Sequence, residues 1–185
     1  MEFRRGFKSE AAKHAAALRQ ELGLPPHAPL CPWQLAGHLE IPIIPLSQLE
    51  SYDRAAILHL MGIGRDEFSA VTIFLGRHQR RRAICHNDAH AKTRQAANVA
   101  HELAHAILAH ARTLMFDRDP IAEAEANWLG PALLVSEEAA WHIAKHGIAP
   151  EAAALMYKVS NDVMRMRLNV TGALIRAERL RRRRA

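Results

Sequence analysis

The sequence predicts an α+β fold, from three observations. Helical periodicity fills the first forty residues, short apolar or alternating runs cluster between roughly residues 41 and 87, and no strand signal follows Lys92. A small sheet with helices before it and an all-helical second half satisfies that order. At 185 residues the chain supports one compact unit rather than two independent domains.

From Ser9 to Leu22 alanine, leucine and charged residues recur at helical spacing, and Gly23 with Pro25 and Pro26 stops the pattern. "CPWQLAGHLE" is a second short helix with Pro32 in its first turn. "IPIIPL", "RAAILHLM", "SAVTIFLG" and "RRAICHN" are expected to be three or four strands, the first demoted to an edge or extended loop by Pro42 and Pro45. Lys92 to Arg112 is helical again. Asp119 and Pro120 then open a helix as cap and first-turn proline, Ser136 caps the next, Pro150 starts a further one, and Ser160 caps a segment with Val163, Met166 and Val170 on one stripe.

Composition narrows the function classes. With 49% hydrophobic and 24% charged residues the chain is neither disordered nor fibrous, and 5% aromatics means a core of aliphatic and alanine side chains. No run approaches the roughly 18 apolar residues of a membrane span, and the N-terminus lacks a secretory apolar stretch, so a cytoplasmic protein without membrane association is expected. Cys31 and Cys85, far apart and without further cysteines, support neither a disulfide framework nor a thiolate zinc cage, and are expected to be small core residues. The net charge of +6 is concentrated at the end, in Arg176, Arg179 and Arg181 to Arg184. Without a stacking aromatic nearby that tail is a weak candidate for nucleic-acid contact, and a solvated, frayed terminus is the favoured reading.

The chemistry centres on "ANVAHELAHAILAH". Residues four apart on a helix share a face with Cβ atoms roughly 6 Å apart, so His101 and His105 can present two neutral imidazoles to one cation. Glu102, beside the first, has the reach to take the proton of a water that zinc activates. Val99, Leu103, Ile107 and Leu108 surround the motif, which puts both histidines on or beside a buried stripe where an imidazole needs a partner.

A catalytic zinc needs a third protein ligand and an open position. A third histidine on the same helix is excluded: Leu108 stands where that pattern needs Gly and Ala111 where it needs His. His110 falls one residue early, nearly opposite His101 on the wheel, and reads as structural or surface. The next helix offers Glu123 and Glu125 in "IAEAEANWLG". Glu123 shares a face with Asn127, which could then hydrogen-bond a ligating histidine. Glu125 is about 200° away on that helix and stays the reserve. The bland alternative is two exposed first-turn glutamates favouring the helix dipole.

With these residues in place the chain resembles the ImmA/IrrE family of metallo-endopeptidases. Arg94-Gln95 running into His101-Glu102-x-x-His105 resembles that family's motif helix, and Glu123, Ala126 and Asn127 its third-ligand helix. The apolar run holding Leu133 and Leu134 fits loosely, with Val135-Ser136 where members often have Met-Pro. Val159, Ser160, Met164, Arg167 and Leu168 are similar to the signature that follows the metal helices. The resemblance implies a zincin-like core over residues 1–150, with 151–185 as a helical extension packed on it and ending in the basic tail. It implies one Zn2+ per chain, with Mn2+ as the alternative, held by His101, His105 and Glu123 with Glu102 as general base. It also implies a helix-turn-helix repressor as the protein substrate, whose loss releases phage, mobile-element or stress-response genes. For the oxyanion, His142, His146, Tyr157 and Arg167 are candidates in name only, each as readily structural. The competing class is a zinc-stabilised regulatory protein that binds a repressor or DNA without cutting.

Overall fold

The computed structural model describes residues 3–75, 81–110 and 119–183. Helix α1 (Phe7–Glu21) buries Phe7, Ala11, Ala15 and Leu18, one stripe at helical spacing, and ends just before Gly23, whose φ of 67° only glycine adopts freely. Helix α2 (Pro32–His38) follows, with the proline in its first turn.

A small sheet comes next. Strands β1 (Ile43–Pro45), β2 (Ala70–Leu75) and β3 (Arg81–His86) lie in the order β1-β3-β2. β3 pairs parallel with β1 and antiparallel with β2, with Thr72 opposite Ile84 and Val71 opposite Cys85. β1 sits at an edge, where its proline removes no ladder donor from a central strand.

"RAAILHLM" is not a strand but helix α3 (Arg54–Met61). Asp53 caps it by accepting the N–H of Ala56, and the two alanines that follow Arg54 favour helix, so a capped apolar run took the helical alternative. Only Ile57 of this helix is buried; with Leu46 it packs on the face of the sheet that Cys85, Val71 and Ile73 present.

The rest of the described chain is helical: α4 (Lys92–Ile107), α5 (Pro120–Leu134), α6 (Glu137–Lys145), α7 (Pro150–Tyr157), α8 (Asn161–Val170) and α9 (Ala173–Arg182). The expected starts hold, with the side chains of Asp119, Ser136 and Ser160 accepting from Ile121, Ala139 and Val163. Helix α4 stops at Ile107 rather than Arg112; Arg112, Ala111 and Arg184 lie outside the described residues.

Two cores share the paired helices α4 and α5. On one side Phe7, Leu35, Ile84, Val99, Leu103 and Leu129 join α1, α2, β3, α4 and α5. On the other, Ala100 and Leu134 meet Ile143, Tyr157, Met164 and Leu168 in a cluster that runs on through α6 to α9, on both sides of residue 150. The two cores are tied by Arg19, wholly buried on α1, which donates to the carbonyls of Ala15, Leu133 and Leu134, with Nε reaching Ala28. Burial pushes its pKa down to about 10.

Three further expectations change. Helix α8 buries Met164, Arg167 and Leu168 rather than the stripe of Val163, Met166 and Val170, of which Val170 is exposed. Cys85 is buried, but Cys31 lies exposed just before α2. The basic end is helical through Arg182 instead of frayed: Arg176 stacks 4.6 Å over the Trp141 ring and Arg181 donates to the Ala144 carbonyl, docking α9 on α6.

Candidate metal centre

Helix α4 presents its buried face, Gln95, Ala96, Val99, Ala100, Leu103 and Ala104, to the core, which leaves His101, Glu102 and His105 half-buried along its flank. Helix α5 lies against that flank because Gly130 lets it. A Cβ on Gly130 would stand 3.1 Å from the His101 nitrogen and 3.2 Å from its Cα, closer than ordinary van der Waals contact. The close approach brings Glu123, one turn inside α5, over the two imidazoles.

His101 Nε2 and His105 Nε2 are 3.1 Å apart, and the Glu123 carboxylate oxygens lie 3.6 Å from each. One donor atom from each residue fits within 4.8 Å of the others, the only such His/Cys/Asp/Glu cluster among the described residues. The donor set suits a cation. Two Nε2 atoms can share only one proton between them, while a tetrahedral ion with bonds of about 2.0–2.1 Å needs ligand atoms about 3.4 Å apart. Side-chain exposures of 24%, 19% and 27% leave the cluster reachable from solvent, as an open coordination position requires.

Glu102 points across to the sheet. Alternation along β2 sends Val71 and Ile73 to the far face, so Thr72 faces α4, and its hydroxyl donates to Glu102 Oε2 at 2.6 Å. The carboxylate beside the cluster is therefore held by a strand thirty residues earlier.

The remaining candidates fall elsewhere. Glu125 is 2% exposed and faces away from the cluster, taking Arg4 Nε at 2.6 Å and Nη2 at 3.0 Å. Burial alone would raise its pKa, but the hydrogen bonds from Arg4 and His110 hold it below the usual carboxylate range. Neither glutamate is thus a freely exposed first-turn residue. Asn127 is exposed and hydrogen-bonds neither histidine. Arg167 is buried with Nε donating to the Val135 carbonyl, and burial lowers its pKa to about 10. Tyr157 donates to the His27 carbonyl, while His142 stacks between His27 and His146. All four oxyanion candidates have such engagements of their own.

The sequence singles out neither Thr72 nor Gly130, and its reading of His110 as structural or surface does not foresee the contact with His105. The helical wheel turned His110 away, but the wheel ends at Leu108: Ala109 takes φ 51°, and the His110 N–H returns to the His105 carbonyl and that of Ala109 to Ala106. This left-handed helix stop swings the His110 ring back onto α4.

The sequence pattern of the IrrE N-terminal-like domain, a peptidase M78 pattern, matches residues 66–169. The chain belongs to this family. The match runs from just before β2 into the last turn of α8 and so includes Thr72, both histidines, Glu102, Glu123 and Gly130. Membership makes the protein a metallopeptidase, with the His101–His105–Glu123 cluster compatible with its metal. No curated protein and no solved structure matches the chain.

Proposed function

We propose that the protein is a zinc-dependent endopeptidase that cuts a helix-turn-helix repressor and so releases phage, mobile-element or stress-response genes. The observation that carries the peptidase reading is the convergence of His101 Nε2, His105 Nε2 and Glu123 beside a carboxylate already fixed by Thr72. Two imidazoles and one carboxylate favour zinc over manganese. The repressor as substrate rests on the family resemblance.

When bound, zinc would supply a Lewis acid that polarises the scissile carbonyl and acidifies the attacking water. His101, His105 and Glu123 would hold it. Glu102 accepts the water's proton and returns it to the leaving amine, and Thr72, donating to one carboxylate oxygen, keeps the other turned toward the reaction. β2 lies at the edge of the sheet next to Glu102, where an extended substrate strand can pair main chain to main chain.

The test is purified protein with zinc and the helix-turn-helix repressor encoded beside its gene. Discrete repressor fragments are expected, and Glu102→Gln should keep zinc and repressor binding but yield none. A repressor bound yet left intact by the wild-type protein would overturn the proposal and favour a binding protein.

A further inference from the structure

Behind the metal cluster the hydrogen bonds continue in a single line. His105 Nδ1 lies 2.9 Å from His110 Nδ1, His110 Nε2 lies 3.3 Å from Glu125 Oε2, and Glu125 takes the fork of Arg4. His110 is 11% exposed and Glu125 2%, so water competes little for these contacts.

With both imidazoles neutral, only one placement of hydrogens satisfies the line. The Glu125 carboxylate is purely an acceptor, and a guanidinium purely a donor. His110 must therefore carry its hydrogen on Nε2, toward the carboxylate, which leaves a lone pair on Nδ1. That lone pair faces His105 Nδ1, which must then bear a hydrogen, so a neutral His105 has its lone pair on Nε2. Nε2 is the atom aimed at His101 and Glu123. The opposite tautomers would set a bare His110 Nε2 against a carboxylate. The left-handed stop at Ala109 places His110 for this contact, at the cost of a backbone conformation that residues with a Cβ avoid.

We propose that His110 and Glu125, anchored by Arg4, are positioning residues that hold His105 in the tautomer and orientation in which Nε2 binds the metal. The inference rests on the metal site proposed above. It ties residue 4 of the chain to the metal-binding His105 through two side chains, Glu125 and His110, neither of them a ligand, and gives Glu125 a role distinct from that of Glu123.

The experiment measures zinc affinity of the full chain by chelator competition, together with imidazole 15N shifts of the zinc-loaded wild type. Partners behind a metal-ligating histidine typically contribute about 10–100-fold in affinity, so His110→Leu should weaken zinc binding by that order. His110→Asn, whose side-chain oxygen can take the place of Nδ1, should recover most of it. Glu125→Gln should weaken binding in the wild-type background and add nothing in His110→Leu. The 15N spectrum should show His110 with its hydrogen on Nε2 and His105 with its hydrogen on Nδ1. Unchanged affinity in His110→Leu, an Asn variant as weak as the Leu variant, or a His110 hydrogen on Nδ1 would each overturn the relay. The spectrum decides even where a variant fails to fold. A wild type that binds zinc no better than His101→Ala would overturn the metal site itself and the relay with it.

Discussion

Gly130→Ala puts the close approach of α4 and α5 to a direct test, because two effects of known size oppose each other there. Alanine in a helix interior is favoured over glycine by up to about 1 kcal/mol. Against this, the new methyl would stand 3.1 Å from His101 N, 3.2 Å from His101 Cα and 3.3 Å from Ala100 C, all backbone atoms that no rotamer change can move. Relief requires the helices to part by a few tenths of an ångström along a packed interface, and such overpacking costs about 1–3 kcal/mol. The net expectation is a loss of about 1 kcal/mol, or roughly 2–4 °C in melting temperature for a chain of this size. Because the displaced atoms belong to His101, zinc affinity should fall as well. Gly37→Ala is the matched control: it lies within α2, and its added Cβ meets nothing within 4 Å. Propensity alone should then raise stability by up to about 1 kcal/mol. Thermal melts and chelator competition on both variants measure these terms. A Gly130→Ala protein as stable as Gly37→Ala, with zinc affinity unchanged, would refute the idea that this glycine sets the seat of the metal helices.

Arg19→Met strips hydrogen bonds from the carbonyls of Ala15, Leu133 and Leu134 inside the protein, so a loss of about 3 kcal/mol or more and a melting temperature lower by roughly 6–12 °C are expected. Thr72→Val keeps the shape of the side chain but frees Glu102; a charged hydrogen bond of about 1.5–3 kcal/mol corresponds to about a 10- to 100-fold drop in peptide hydrolysis, with zinc content measured alongside and expected to stay constant. Burial raises the Asp88 carboxyl, but the O–H and N–H of Ser47 bond its two oxygens and hold it below the ordinary carboxylate value. A folded-state pKa below the unfolded one stabilises the protein above the unfolded value, and that contribution is lost as pH falls through the folded one. Urea melts from neutral to acid pH should therefore show a shallower acid loss in Asp88→Asn than in wild type, and identical slopes would contradict the assignment.

The parts of the site legible in the sequence are those set by helix geometry over a few residues. His101, Glu102 and His105 are fixed relative to one another by one turn of α4, and Glu123 separates from Glu125 by the angle between them on α5. What the sequence hid depends on contacts between elements. Thr72 reaches Glu102 only because Val71 and Ile73 are claimed by the other face of the sheet. Gly130 matters only where α5 meets α4, and in the sequence it sits in an ordinary apolar run. The placement of His110 is hidden because a helix stop of this kind usually carries glycine and this one carries Ala109. "RAAILHLM" reads as a strand from its pattern because an eight-residue apolar run fits either a strand or a short helix, and a single cap at Asp53 decides between them.

The edge position of β2 carries a consequence for anything that is cut beside it. A chain that pairs with that strand has to be extended over several residues, while a helix-turn-helix unit keeps its main-chain groups bonded internally. If such a unit is the substrate proposed above, it would be open to attack only in linkers or in stretches that unwind from time to time. Where that opening is fast compared with cleavage, the rate follows how often the partner exposes the segment. Selectivity would then be written as much in the local stability of the target as in the side chains around the scissile bond, and a small shift in that stability would act as the trigger.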